Sequence, residues 1–207
     1  MVNLTISGAI CRDELQDISQ LSNPLRNLSI KVVIVSDDAN PDIIPQLYNL
    51  LSKHAQTLEY LTAGFLAWEY YYDGLTMPTL FNLTRFHLTV PLLKYTPSFY
   101  MSFPPGNPNL AVAFPRLREF CLIMDVIWDG EWASCLESLF SNEYLVCPSV
   151  RHFEIMDAYR ERTRDIVNRG YKIDIRYANV LKIFPNAKNT FVDDLRKYFE
   201  KNGMLTM

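Results

Sequence analysis

One short pattern recurs along this chain: an apolar residue, two variable residues, an apolar residue, one variable residue and a third apolar residue. It stands clearest as Leu83-Thr84-Arg85-Phe86-His87-Leu88, Leu117-Arg118-Glu119-Phe120-Cys121-Leu122 and Val150-Arg151-His152-Phe153-Glu154-Ile155. Looser copies are Leu25-Arg26-Asn27-Leu28-Ser29-Ile30 and Leu58-Glu59-Tyr60-Leu61-Thr62-Ala63. A weak last copy is Ala187-Lys188-Asn189-Thr190-Phe191-Val192, and Met1, Leu4 and Ile6 fit a first. The copies begin at 1, 25, 58, 83, 117, 150 and 187. Self-similarity at steps of 24 to 37 residues is the mark of a stacked array, in which each unit buries its apolar side only against its neighbours.

A second marker keeps the same register. Phe114-Pro115, Cys147-Pro148 and Phe184-Pro185 each precede a copy at one fixed offset. Proline costs least where a strand opens, because its missing N–H is not needed there. The residue before it is held extended, free to point inward. The closing apolar positions of each copy alternate, as a strand with one buried face requires. This predicts strands near 3–6, 28–32, 60–63, 86–90, 120–124, 153–156 and 189–192, parallel and in sequential order. The segments between them must return the chain. One reads as a helix opened by Asn40-Pro41, with Ile43, Leu47, Leu50 and Leu51 on one stripe. A second follows Asp129-Gly130, with Trp132, Cys135, Leu136, Leu139 and Phe140 on its stripe, and a third runs from Asp174 to Ile183 with Tyr177 and Leu181 inward. A helix over 193–202 follows, with Asp193-Asp194 ahead of Leu195, Tyr198 and Phe199 and with Asn202-Gly203 at its end. It would seal the last unit.

These LxxLxL copies and Phe/Cys-Pro pairs resemble leucine-rich repeats of the irregular intracellular kind, found in ribonuclease-inhibitor-like and F-box leucine-rich-repeat proteins. Cys147-Pro148-Ser149-Val150 is similar to the opening of the cysteine-containing class. The resemblance covers nearly the whole chain and implies an α/β solenoid of six to seven irregular units over 1–207. Its curved parallel sheet would lie inside, with helices and irregular segments outside. The Asn or Cys that usually follows the strand is missing: Val90-Pro91, Met124-Asp125 and Met156-Asp157 occupy those places. By the resemblance, the chain is a protein-binding module such as the substrate-recognition region of an F-box ubiquitin ligase. The alternative is a free-standing scaffold or inhibitor unconnected with ubiquitin. Nothing in the chain fits an F-box, and an opening strand at Met1 without a polar cap suggests that the start is truncated. Ligase subunits are expected partners only if an F-box lies upstream.

Composition narrows the classes. Of 207 residues, 20 are Lys or Arg and 23 are Asp or Glu, a net charge of −3 that gives no cationic surplus for nucleic acid. Four scattered cysteines without CxxC spacing signal neither a disulfide framework nor a zinc site. No apolar run approaches the roughly 20 residues of a membrane helix, and the start lacks the features of a signal peptide. An intracellular setting without nucleic-acid or membrane partners is expected. No phosphate-cradling, zinc-protease or nucleophile-elbow motif occurs, so no catalytic, cofactor or metal residue is assigned and no enzyme is expected.

The candidate site is the inner wall. The third and fifth positions of each copy point away from the core: Arg85, His87, Glu119, Cys121, His152 and Glu154, with Tyr60 on an earlier strand. Aligned copies place Arg85, Glu119, His152 and Asn189 in one lateral row and His87, Cys121, Glu154 and Phe191 in the next. The second row would permit a metal or nucleophilic set. An open strand wall orients no base, however, and a polar recognition surface with Arg85–Glu119 pairing is the better reading. Two further features stay open. The Pro-rich stretch 91–113 with Phe99, Tyr100, Met101 and Phe103 is either a binding loop or a cover for the outer face. Residues 151–182 carry eight basic and five acidic side chains: a basic outer segment could meet an acidic partner, but with acids interleaved a solvated helix face is the better reading.

Overall fold

The computed structural model describes residues 2–9, 12–33, 43–66, 75–91, 101–102, 110–125, 146–157 and 177–203. The chain is α/β. In order, its described elements are β1 (Val2–Ala9), α1 (Arg12–Ser19), β2 (Leu25–Val33), α2 (Ile43–Lys53), β3 (Tyr60–Leu66), β4 (Leu75–Thr76), β5 (Arg85–Pro91), β6 (Met101–Ser102), α3 (Leu110–Ala113), β7 (Glu119–Asp125), β8 (His152–Asp157), α4 (Tyr177–Ile183) and α5 (Thr190–Lys201). Six strands form one all-parallel sheet in the sequential order β1-β2-β3-β5-β7-β8, and β4 pairs with β6 in a separate parallel pair.

The sequence pattern sets the register. Leu4, Leu28, Leu61, Phe86, Phe120 and Phe153 are successive partners, and so are Ile6, Ile30, Ala63, Leu88, Leu122 and Ile155. From β2 to β8 every member of both rows is buried, as are Leu25, Leu58, Leu83, Leu117 and Val150 at the head of each copy. A one-residue slip of any strand would turn its whole apolar set outward, so burial of one face locks the pairing. The larger side chains of the first row meet in an aromatic spine. Ring centroids lie 5.3 Å apart for Phe86–Phe120, 5.9 Å for Phe120–Phe153 and 4.7 Å for Phe153–Phe184. Leu15 of α1, Leu47, Leu50 and Leu51 of α2, and Val180, Leu181 and Ile183 of α4 join the same core.

The proline positions belong to turns rather than to the strands themselves. Leu117 N–H donates to the Phe114 carbonyl, Val150 to Cys147 and Ala187 to Phe184, each closing a four-residue turn with Pro second. Proline's fixed φ suits that place. The residue ahead of each proline is buried, as expected. Leu83 to Leu80 makes the same turn without a proline. Neighbouring turns are tied by Leu80 N–H to the Ala113 carbonyl at 2.8 Å and Cys147 N–H to the Ile183 carbonyl at 2.7 Å.

The expected seventh strand is a helix. Lys188 N–H still bonds the Arg151 carbonyl, continuing the ladder for one step. Asn189 then becomes the N-cap of α5, its Oδ1 accepting from Val192 N–H at 2.9 Å while its amide reaches the Phe153 carbonyl. Asn189 and Phe191 therefore leave the lateral rows, and α5 begins at Thr190 rather than at 193. Asp193 sits in its first turn, and Val192, Leu195 and Phe199 are buried. Asn202 closes it and Gly203 follows with φ 65°, a conformation that glycine adopts without strain. Helix α1 and the pair β4–β6 were not expected. In α2, Pro45 falls within the first turn, where its missing N–H would have no helical partner anyway. The expected second helix and most of 91–113 and 151–182 lie outside the described residues.

His54 ties α2 to β2. Its Nδ1 accepts from Leu25 N–H at 3.4 Å, so Nε2 carries the proton, and that buried atom has no partner among the described residues. Burial, with Lys53 adding to it, lowers its pKa from 6.5. The unfolded chain therefore takes up a proton first, and stability is lost as pH falls below about 6.5 toward the lowered folded value. The melting temperature should drop more steeply between pH 7 and 5 in the native protein than in His54→Gln. Equal slopes would show that the fold does not hold His54 neutral.

Candidate functional site

Strand alternation aims the third and fifth positions of each copy away from the core, so residues far apart in sequence share one face. Tyr60, Arg85, Glu119 and His152 are successive partners across β3, β5, β7 and β8. Thr62, His87, Cys121 and Glu154 form the adjacent row. All seven expected residues thus lie on one polar face, and both rows extend backward through Asn27 and Ser29 of β2.

Four of them form one connected string. The Tyr60 hydroxyl lies 3.0 Å from His87 Nδ1, and His87 Nε2 lies 3.0 Å from Glu119 Oε1. The arrangement that satisfies every group has Nε2–H donating to the carboxylate and Nδ1 accepting the Tyr60 O–H. The Tyr60 and His87 rings meet edge-on at 5.1 Å. Glu119 Oε2 is 3.4 Å from Arg85 Nε, so the expected Arg85–Glu119 pair forms and one carboxylate on β7 holds two side chains of β5, one from each row. His152 and Glu154 pair separately at 3.4 Å. Such bonds hold these side chains in one arrangement on the face.

Cys121 sits between these two groups and is only 3% exposed. Burial, then Glu154, then Glu119 push its thiol up to about 12. It stays protonated at neutral pH and is a poor nucleophile. Among the described residues, no three His, Cys, Asp or Glu side chains are placed to hold a metal ion. No helix among them is long and apolar enough to cross a membrane.

Beside the polar face, at the N-terminal rim of β5, β7 and β8, lies an open groove of about 920 Å³. Arg85, Glu119 and His152 belong to both surfaces, and Arg116, Arg118 and Arg151 line the groove alone. Sequence reading passed over Arg116 and Arg118 because it followed only the alternating positions within the strands, and it counted Arg151 only among the basic residues of 151–182. The signal was present: Arg118 and Arg151 share the second place of adjacent copies.

No protein-family model, no curated protein and no solved structure matches the chain. The reading of its role rests on its own residues and geometry.

Proposed function

We propose that the chain is a leucine-rich-repeat solenoid that binds a protein partner on the polar face of its parallel sheet and performs no chemistry. One observation carries the reading. Six copies of a sequence pattern lie side by side in a six-stranded sheet, in continuous register from β2 to β8 and with one shift at Val2/Asn3 of β1, and their variable positions collect on one face. That is the construction of a stacked-repeat binding surface. The mixture displayed there (a tyrosine, two histidines, an arginine and two glutamates) suits a specific protein contact. The relay Tyr60–His87–Glu119 favours order over catalysis, since parallel ladders engage the backbone amides around it and leave no free pair to hold an oxyanion.

In the finer form of this proposal, the chain is the intracellular substrate-recognition region of an F-box-type ubiquitin ligase. Affinity capture of the full-length gene product from its own cells tests this. Recovery of ligase adaptor subunits, together with a captured protein that accumulates when the gene is silenced, is the expected result. A stoichiometric partner without adaptors, its level unchanged on silencing, would instead identify a free-standing scaffold or inhibitor.

A further inference from the structure

The groove at the rim of β5, β7 and β8 is built from four arginines and one glutamate, with His152 at its side, in a chain whose net charge is −3. The surplus of positive charge is therefore local. Its arrangement follows from the register. Arg151 N–H donates to the Arg118 carbonyl at 2.8 Å, and Arg118 N–H to the Thr84 carbonyl at 2.9 Å, so Arg118 and Arg151 occupy adjacent rungs of one row. Earlier in that row the charge is balanced, because Arg26 holds Glu59 at 2.7 Å. Arg118 and Arg151 have no carboxylate partner among the described residues. Like charges on adjacent rungs repel. Arg116, meanwhile, is held by Asn82 Oδ1 at 2.7 Å, which aims its guanidinium without neutralising it.

We infer that this groove takes an acidic peptide segment of the protein partner, its carboxylates received by Arg116, Arg118 and Arg151. Guanidinium groups match carboxylates in a planar, two-bond geometry that an ammonium lacks. A groove of about 920 Å³ admits several side chains rather than one ion. Nucleic acid fits less well. Among the described residues no Phe, Tyr or Trp lines the groove for bases to stack on, Glu119 lies among its lining residues, and the chain as a whole repels a polyanion. The inference rests on the protein-binding reading and specifies the chemistry of the partner.

Fluorescence anisotropy with a labelled peptide of six glutamates tests it, with inorganic phosphate and a single-stranded oligonucleotide as competitors. The peptide should bind, weaken as salt rises, and lose about tenfold or more in affinity in Arg118→Gln/Arg151→Gln, where two charge-assisted contacts are removed. Arg26→Gln should bind as the native protein does, and circular dichroism should show all variants folded. Absence of peptide binding, or binding untouched by the double variant, overturns the inference. Phosphate that competes as well as the peptide, mole for mole, also overturns it in favour of a free-ion site. An oligonucleotide that binds more tightly than the peptide overturns the choice of partner. Failure here while the native chain still captures a protein rejects the groove alone. Peptide binding by a chain that captures no protein rejects the broader reading.

Discussion

Phe120→Ala should destabilise the protein by roughly 3–5 kcal/mol, as the loss of a phenyl ring from a packed core does. Phe120 is 1% exposed and lies in β7, the fifth strand of the six-stranded sheet, with a paired strand on either side. Its ring meets Phe86 at 5.3 Å, Phe153 at 5.9 Å and Phe184 at 5.8 Å. Phe86 and Phe153 are fixed on neighbouring strands whose spacing is set by backbone hydrogen bonds, so they cannot close over the vacancy. Phe184 is held from the other side by the turn that Pro185 opens. The cavity persists, and its cost adds to the lost transfer energy of the ring. Denaturant titration at constant slope measures the change. A loss below about 1 kcal/mol would contradict the register of the sheet, because only a ring near the surface could be removed so cheaply.

The parallel sheet was legible in the sequence because every copy satisfies two demands at once. Phe86 and Leu88, Phe120 and Leu122, and Phe153 and Ile155 alternate as a strand must, and the leading Leu83, Leu117 and Val150 fill the turn beside it. The last copy failed for a physical reason. Ala187, Thr190 and Val192 obey the spacing, but Val192, Leu195 and Phe199 also obey that of a helix, and Asn189 supplies the cap that a helix needs. A local cap decided between two periodicities. Helix α1 escaped notice because it carries only Leu15 and Ile18 as apolar anchors, too few for a stripe. The two-residue strands β4 and β6 are shorter than any periodic signal. At the site, alternation alone placed Tyr60, Arg85, His87, Glu119, Cys121, His152 and Glu154 on one face. Their bonds were legible only in part. Arg85–Glu119 follows from direct opposition, whereas Tyr60–His87 and His87–Glu119 run diagonally between rows and depend on side-chain reach.

Charge reversal on the polar face should abolish capture of the protein partner and leave the fold intact. Arg85 is the more exposed member of its pair, its side chain 65% accessible against 31% for Glu119. Exposed ion pairs contribute at most about 1 kcal/mol to stability. Arg85→Glu therefore places two carboxylates side by side at small cost to the fold, but it inverts the charge that a partner meets at the centre of the face. Glu154→Lys does the same beside His152 and Cys121, beyond the lining of the basic groove. Centrally placed charged contacts, once desolvated, can each be worth 2 kcal/mol or more, roughly a thirtyfold loss in affinity. Tyr100→Ala/Phe103→Ala, in the proline-rich stretch, supplies the comparison. The decisive measurement is quantitative capture of the partner by the native chain, the two face variants and the Tyr100→Ala/Phe103→Ala variant, each matched for thermal stability. The account predicts capture by the native and Tyr100→Ala/Phe103→Ala proteins and none by Arg85→Glu or Glu154→Lys. Capture that survives both reversals and fails in Tyr100→Ala/Phe103→Ala would contradict it and move the binding surface off the sheet.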